Sequence, residues 1–256
     1  MTMVDESAVA RIRMIVGLGN VGANYVRTRH NAGFWLIDRF ASRIGAVLRP
    51  ERKFFGEVAR TTISHHDLIL LKPSTLMNRS GQAVVAAALF YRILPDQILV
   101  AHDELDLPPG EAKLKLGGGT AGHNGLKDIK ARLTHADFWR ARIGIGHPRS
   151  LGLEQDVADF VLHVPRRDEE VAIEDAITRV DSVLELMVQG HFERAMMRLH
   201  SSGPKKTESV PSKESGPNKK ESGPNKESGA NKESGANKES GAKKTDDEGP
   251  PPPQPM

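Results

Sequence analysis

Three asparagines and one histidine sit in short turn-prone runs far apart in the chain: Gly-Asn at Asn20, Arg-His-Asn at His30, Met-Asn-Arg-Ser-Gly at Asn78 and Gly-His-Asn-Gly at Asn124. Chemistry on a carbonyl uses this inventory. A carboxamide donates to a developing oxyanion and accepts from an amide or water, and an imidazole takes a proton from water near neutral pH. The chain has no cysteine, which excludes a thiol nucleophile and a disulfide. Ser80 lies in Asn-Arg-Ser-Gly with no G-x-S-x-G elbow, so a serine hydrolase is unsupported and activated water remains. Asp103 follows a strongly apolar strand, where open α/β sheets place their sites, and a carboxylate on one imidazole nitrogen leaves the other free to act as base. Each residue also has a plain reading. An asparagine beside glycine or serine makes turns and caps, and a histidine before a helix often only caps it.

Three further motifs compete. Gly17-Leu18-Gly19-Asn20-Val21-Gly22 matches G-x-G-x-x-G after a strand, but about eight polar or turn residues separate it from the next helix, and Asp38 falls inside that helix. A dinucleotide site needs the helix to open within the glycines. His102, Asp103, Glu104 and Asp106, with His123 or His30, supply metal-ligating types. Successive strand residues face opposite ways, however, so His102 and Asp103 do not easily share one ion, and no metal or other cofactor is expected. Lys113 with Lys115, and Arg140 with Arg142, sit at i, i+2 on two strands, a spacing that fits either a basic ridge for phosphates or a solvated edge.

The elements that position these residues follow from periodicity. Residues 12–18 form a buried strand running into a glycine-rich loop, and Asn31 is the expected N-cap of a helix over 32–44. Strands at 54–61 and 67–71 join through a polar turn with the solvated pair His65-His66. A helix over 81–93 leads to the strand 97–101, which ends in the acidic run. A strand at 113–116, a helix at 124–133, a strand at 139–145 and an amphipathic helix at 168–188 follow, with a short helical turn to Leu199. Strands alternating with helices indicate an α/β sheet covered on both faces.

From about Ser201 the composition changes to a lysine, glutamate, serine, glycine and asparagine repeat, with Glu221, Glu227, Glu233 and Glu239 spaced by six and a proline run at Pro250 to Pro253. It has no aromatic residue and too little apolar surface to offset the entropy of ordering, so a disordered tail is expected over 201–256 beside a catalytic domain over 1–200. The tail's ten lysines and nine acids leave the body at +2 of the chain's +3, near balance, which does not by itself indicate nucleic-acid binding. No apolar run approaches the roughly 20 residues of a membrane span, and residues 1–13 lack a secretory apolar stretch. A cytoplasmic protein is the expectation.

Taken in order, Gly17-Leu18-Gly19-Asn20 with Thr28-Arg29-His30-Asn31-Ala32-Gly33-Phe34, Lys72 to Asn78, His102 to Asp106, Gly117 to Gly119 with Gly122 to Asp128, and Arg142 to Pro148 resemble bacterial-type peptidyl-tRNA hydrolase over about residues 13–199. Together the motifs are far more specific than any one of them. The resemblance implies a single α/β domain with a mixed twisted sheet and helices on both faces, which cleaves the ester between a peptide and the 3′ end of tRNA. It implies His30 as catalytic histidine and Asp103 as its partner. Asn20, Asn78 and Asn124 line the site, Tyr25 and Met77 form its wall, and Lys115 and Arg142 hold the tRNA 5′ phosphate. No cofactor, metal, membrane or obligate protein partner is implied, and a monomer is expected. Two positions depart from the family: Val21 stands where proline is usual, and Leu76 where phenylalanine is usual. The first is expected to loosen the Asn20 loop and the second to alter the apolar contact beside Asn78. A non-catalytic RNA-binding module would have no use for the histidine and aspartate pair.

Overall fold

Strand β1 (Met14–Gly17) is buried along its whole length and explains the architecture by its side-chain alternation. Ile15 enters one core, while Met14 and Val16 enter the other, as the period of two in a strand requires. The computed structural model describes residues 10–133 and 137–201. The tail expected from residue 201 therefore lies, apart from Ser201 itself, outside the described residues.

In chain order the elements are β1, α1 (Ala32–Ile44), β2 (Arg49–Glu51), β3 (Gly56–Ile63), β4 (His66–Pro73), α2 (Ser80–Tyr91), β5 (Ile98–Glu104), β6 (Ala112–Leu116), α3 (Asn124–Leu133), β7 (Trp139–Gly144), α4 (Val157–Val161), α5 (Arg167–Val188) and α6 (Phe192–Ser201). The sheet order is β2-β3-β4-β1-β5-β7-β6. β4, β1, β5 and β7 pair in parallel, and the antiparallel strands lie outside them. The sheet is thus mixed, as expected. The tight β3–β4 connection places Ser64 and His65 at positive φ, 48° and 67°, which confirms the turn read there.

Helices α1, α5 and α6 cover one face, with Leu36, Ile37, Phe40, Ile177 and Leu184 packed on Ile15, Leu99 and Ile143. Helices α2 and α3 cover the other, with Val84, Ala87, Leu126 and Ile129 on Met14, Val16, Ile98 and Val100. Each such side chain contributes about 1.5–3 kcal/mol relative to exposure, so the two cores hold the strand ends rigidly. Rigid strand ends are what a site built on β5 needs.

The glycines of the first loop serve close packing. A Cβ on Gly17 would collide with the Gly33 carbonyl oxygen, and a Cβ on Gly33 with the Ala101 carbonyl oxygen, so α1 can lie directly against β1 and β5. The same approach brings the turn before α1 to the end of β5. Two elements escaped the periodicity: β2, three residues long, and α4, five residues long. β5 also runs three residues further than expected, through Glu104, and all seven of its residues are buried.

Candidate active site

His30 lies in a single helical turn, Arg29–Asn31, that leads straight into α1. Its Nδ1 is 2.9 and 3.0 Å from the two carboxylate oxygens of Asp103 on β5. Asp103 is 4% exposed and accepts a second bond, at 3.1 Å, from Nε2 of His123. The His30 and His123 rings stand 4.9 Å apart. One carboxylate is thus held between two imidazoles.

The tautomers follow from the remaining partners. His123 precedes α3, and its Nδ1 accepts from the backbone N–H groups of Gly125 at 3.1 Å and Leu126 at 3.4 Å. It caps the helix start, so its proton is on Nε2 and is donated to Asp103. Asp103, ionised, accepts a hydrogen bond from the Nδ1–H of His30 as well, which leaves His30 Nε2 bare. Burial opposes a charged His30, but the Asp103 charge and hydrogen bond outweigh it, and its pKa is raised above 6.5. Burial likewise opposes ionised Asp103, yet the two histidines hold its pKa well below the usual carboxylate range.

Donor atoms of His30, Asp103 and His123 lie within 4.8 Å of one another, the separation of a metal group. The bonding works against that use. A cation would have to displace both ring protons from Asp103, and His123 would have to put a proton on the nitrogen facing two backbone donors. His102 takes no part either. Its Nδ1 donates to the Asp103 carbonyl oxygen at 2.7 Å, and burial, with His123 nearby, pushes its pKa down to about 3, so it stays neutral.

Asn31 is a correction to the sequence reading. It stands at the N-cap position of α1 but makes no side-chain cap bond. Instead its Oδ1 accepts from the Asn20 N–H at 2.8 Å and its Nδ2 donates to the Asn20 carbonyl at 3.0 Å. The first loop is thereby pinned to the turn that carries His30, and the carboxamide of Asn20 itself is not used in the pinning.

Two clefts hold candidate site residues. One, about 290 Å³, is lined by His30, Asp103, His123, Asn124, Leu105 and the α4 residues Val157, Ala158 and Val161, among others. The other, a more open cleft of about 420 Å³, is lined by Asn20, Val21, Tyr25, Ser74, Thr75, Leu76 and Leu162. Met77 is buried beneath this region, close against Gly125 at the start of α3. Asn78 is exposed on the turn Met77–Arg79 that packs against α3, and it lines neither cleft. Ser80 Oγ donates to the Met77 carbonyl at 2.8 Å and is buried, as befits a structural serine.

Residues 14–209 match the family model described as peptidyl-tRNA hydrolase. The chain belongs to the peptidyl-tRNA hydrolase family. A peptidyl-tRNA hydrolase crystallised with n-propanol is 45% identical with a TM-score of 0.73, the match covering 77% of this chain and 98% of that one. The Acinetobacter baumannii peptidyl-tRNA hydrolase is 46% identical with a TM-score of 0.71, over 75% of this chain and 95% of that one. The family's reaction is hydrolysis of the ester in peptidyl-tRNA, which frees the tRNA for translation.

In this hydrolase the basic strands are less simple than their spacing implied. β6 and β7 are antiparallel, with Lys113 opposite Arg142 and Lys115 opposite Arg140, so all four share one face. Lys113 and Lys115 are exposed. Arg140 is buried and donates to the Gly119 carbonyl, while Arg142 Nε is 2.7 Å from Glu104 Oε2. Lys115 and Arg142 are therefore diagonal neighbours, one exposed at the surface and one ion-paired with Glu104. The departing residues Val21 and Leu76 are both well exposed on the wall of the larger cleft.

His123 is the residue the sequence reading undervalued, having been weighed only as a metal ligand. Its signal was positional: a histidine directly before a helix start can accept from the first amides, which fixes its tautomer.

Proposed function

We propose that hydrolysis of peptidyl-tRNA by this enzyme runs by general-base activation of water, with no covalent intermediate, metal or cofactor. His30 Nε2 takes a proton from water as the oxygen attacks the ester carbonyl carbon. The imidazolium so formed is stabilised by Asp103. It then returns the proton to the departing 3′ ribose oxygen as the tetrahedral intermediate collapses. His123 holds Asp103 in line. The observation that carries this reading is the relay itself: a base whose far nitrogen is committed to a buried carboxylate that is in turn fixed by a tautomer-locked histidine.

In the same reading Asn124, in the cleft with His30, Asn20, in the other cleft, and Asn78, on the turn Met77–Arg79, position the water, bind the peptide backbone and stabilise the oxyanion. A well-placed donor to an oxyanion contributes about 2.7–4 kcal/mol. Tyr25 and Met77 shape the wall on the peptide side. Lys115 and Arg142 take the tRNA 5′ phosphate, with Glu104 orienting the guanidinium. The enzyme acts as a cytoplasmic monomer.

Rapid-quench kinetics at saturating N-acetyl-aminoacyl-tRNA test the absence of a covalent step. Free tRNA and free acid are expected to appear together with no burst. A burst of tRNA ahead of the acid would reveal an acyl-enzyme and overturn the mechanism.

A further inference from the structure

Arg29 directly precedes His30, yet its side chain is buried away from the reacting atoms. Nη2 donates to Glu169 Oε2 at 2.6 Å, and Nη1 donates to the carbonyl oxygens of Phe160 and His163 at 3.1 Å each, with that of Val164 at 3.4 Å. The guanidinium lies 4.0 Å from the centre of the Phe160 ring. Its own backbone N–H donates to the His163 carbonyl at 3.2 Å. All of these partners belong to one stretch, residues 160–169, from the end of α4 to the first turn of α5. That stretch begins where the smaller cleft has its apolar wall, since α4 supplies Val157, Ala158 and Val161 to it.

Stability alone explains this poorly. Burying a charge pair usually returns little net free energy, and Nε has no hydrogen-bond partner among the described residues. What a planar fork spread over one carboxylate and three carbonyls does supply is fixed orientation, which a flexible ammonium cannot match. The residue that carries the fork is one peptide bond from His30.

We infer that Arg29 is a positioning residue for the hydrolysis: by clamping residues 160–169 to the turn Arg29–Asn31, it holds the His30 ring against Asp103 and ties the cleft wall to that ring. The inference rests on His30 being the base. A shift of about 1 Å in a catalytic group can cost roughly 10²-fold in rate, and that is the scale of effect the clamp controls.

The test uses Arg29→Met, Arg29→Lys and Glu169→Gln in the full chain. Steady-state kinetics, thermal melting and NMR titration of the His30 ring are measured on each. Arg29→Met is expected to lower kcat roughly 10²-fold and Arg29→Lys about tenfold, with KM changed less. The acidic limb of kcat/KM and the NMR titration should both move down toward about 6.5, as His30 loosens from Asp103. If Arg29→Met does not fold, the Lys and Gln variants decide. Folded variants with normal kcat and normal His30 titration overturn the inference, whatever their melting temperature, and so does a fall in kcat with the titration unmoved. The NMR titration reads the hold on His30 whether or not His30 is the base, so a failure here is distinguishable from a failure of the base assignment, which His30→Ala tests.

Discussion

Asp103→Asn probes the relay more sharply than its small change in shape suggests. The carboxylate accepts two ring N–H bonds, from His30 Nδ1 at 2.9 Å and His123 Nε2 at 3.1 Å. Both bonds fall on Oδ1, and His30 Nδ1 alone also faces Oδ2, at 3.0 Å, so a carboxamide that keeps its oxygen at Oδ1 puts its NH₂ donor at Oδ2, against His30 Nδ1. His123 cannot give way, because its Nδ1 already accepts from Gly125 and Leu126. The amide oxygen therefore stays at Oδ1 with His123 and the NH₂ takes the Oδ2 place facing His30 Nδ1, which favours the His30 tautomer protonated on Nε2. The nitrogen that should take a proton from water then carries one. Loss of a positioned base costs about 10²–10⁴ in rate, or about 2.7–5.4 kcal/mol at 1.36 kcal/mol per tenfold. Single-turnover hydrolysis of N-acetyl-aminoacyl-tRNA measures the loss, and ¹⁵N NMR of the labelled histidines reads the tautomer. A rate within threefold of the parent, or a His30 still protonated on Nδ1, would refute the reasoning.

Four other outcomes are expected. Because the His30 pKa is raised in the folded enzyme, kcat/KM should rise with pH through a value above 6.5, not at it; a midpoint at or below 6.5 counts against the Asp103 contact. The same shift means that charged His30 adds stability below about 6.5, which is lost as pH climbs through the raised value, so urea unfolding should show that loss in the parent and not in His30→Ala. Replacing Lys115 or Arg142 by alanine should weaken tRNA binding and flatten its salt dependence by about one counterion each, and unchanged slopes on tRNA bearing a 5′ phosphate would remove the clamp. Cutting after Ser201 should leave Tm and saturated turnover intact, whereas cutting after Leu199 should lower Tm, because the His200 ring accepts from the Leu114 N–H at 3.3 Å; a large loss from the first cut would move the domain boundary into the tail.

Long periodic elements were legible in the sequence because burial imposes their period: the strand 97–101 and the amphipathic helix 168–188 both appear close to where their patterns put them. β2 and α4 were not, since three and five residues hold too few side chains to display a period. The acidic run read as a strand end because carboxylates are seldom buried, yet Asp103 accepts hydrogen bonds from two histidines and Glu104 is paired with Arg142, and those partners lie far off in sequence. The same reason hid the role of Asn31. A local cap was the nearest use for its carboxamide, but a loop eleven residues earlier takes both ends of it. Cross-strand register decided the basic face, placing Arg140 rather than Arg142 opposite Lys115, and register is fixed by tertiary packing that spacing within one strand does not reveal.

Whether His30 is the base is decided by kcat for His30→Ala on N-acetyl-aminoacyl-tRNA across pH, on protein shown by melting to be folded. A fall of at least about 10² is expected, together with loss of the acidic limb. Turnover near the parent value, or a pH profile that keeps its limb, would contradict it.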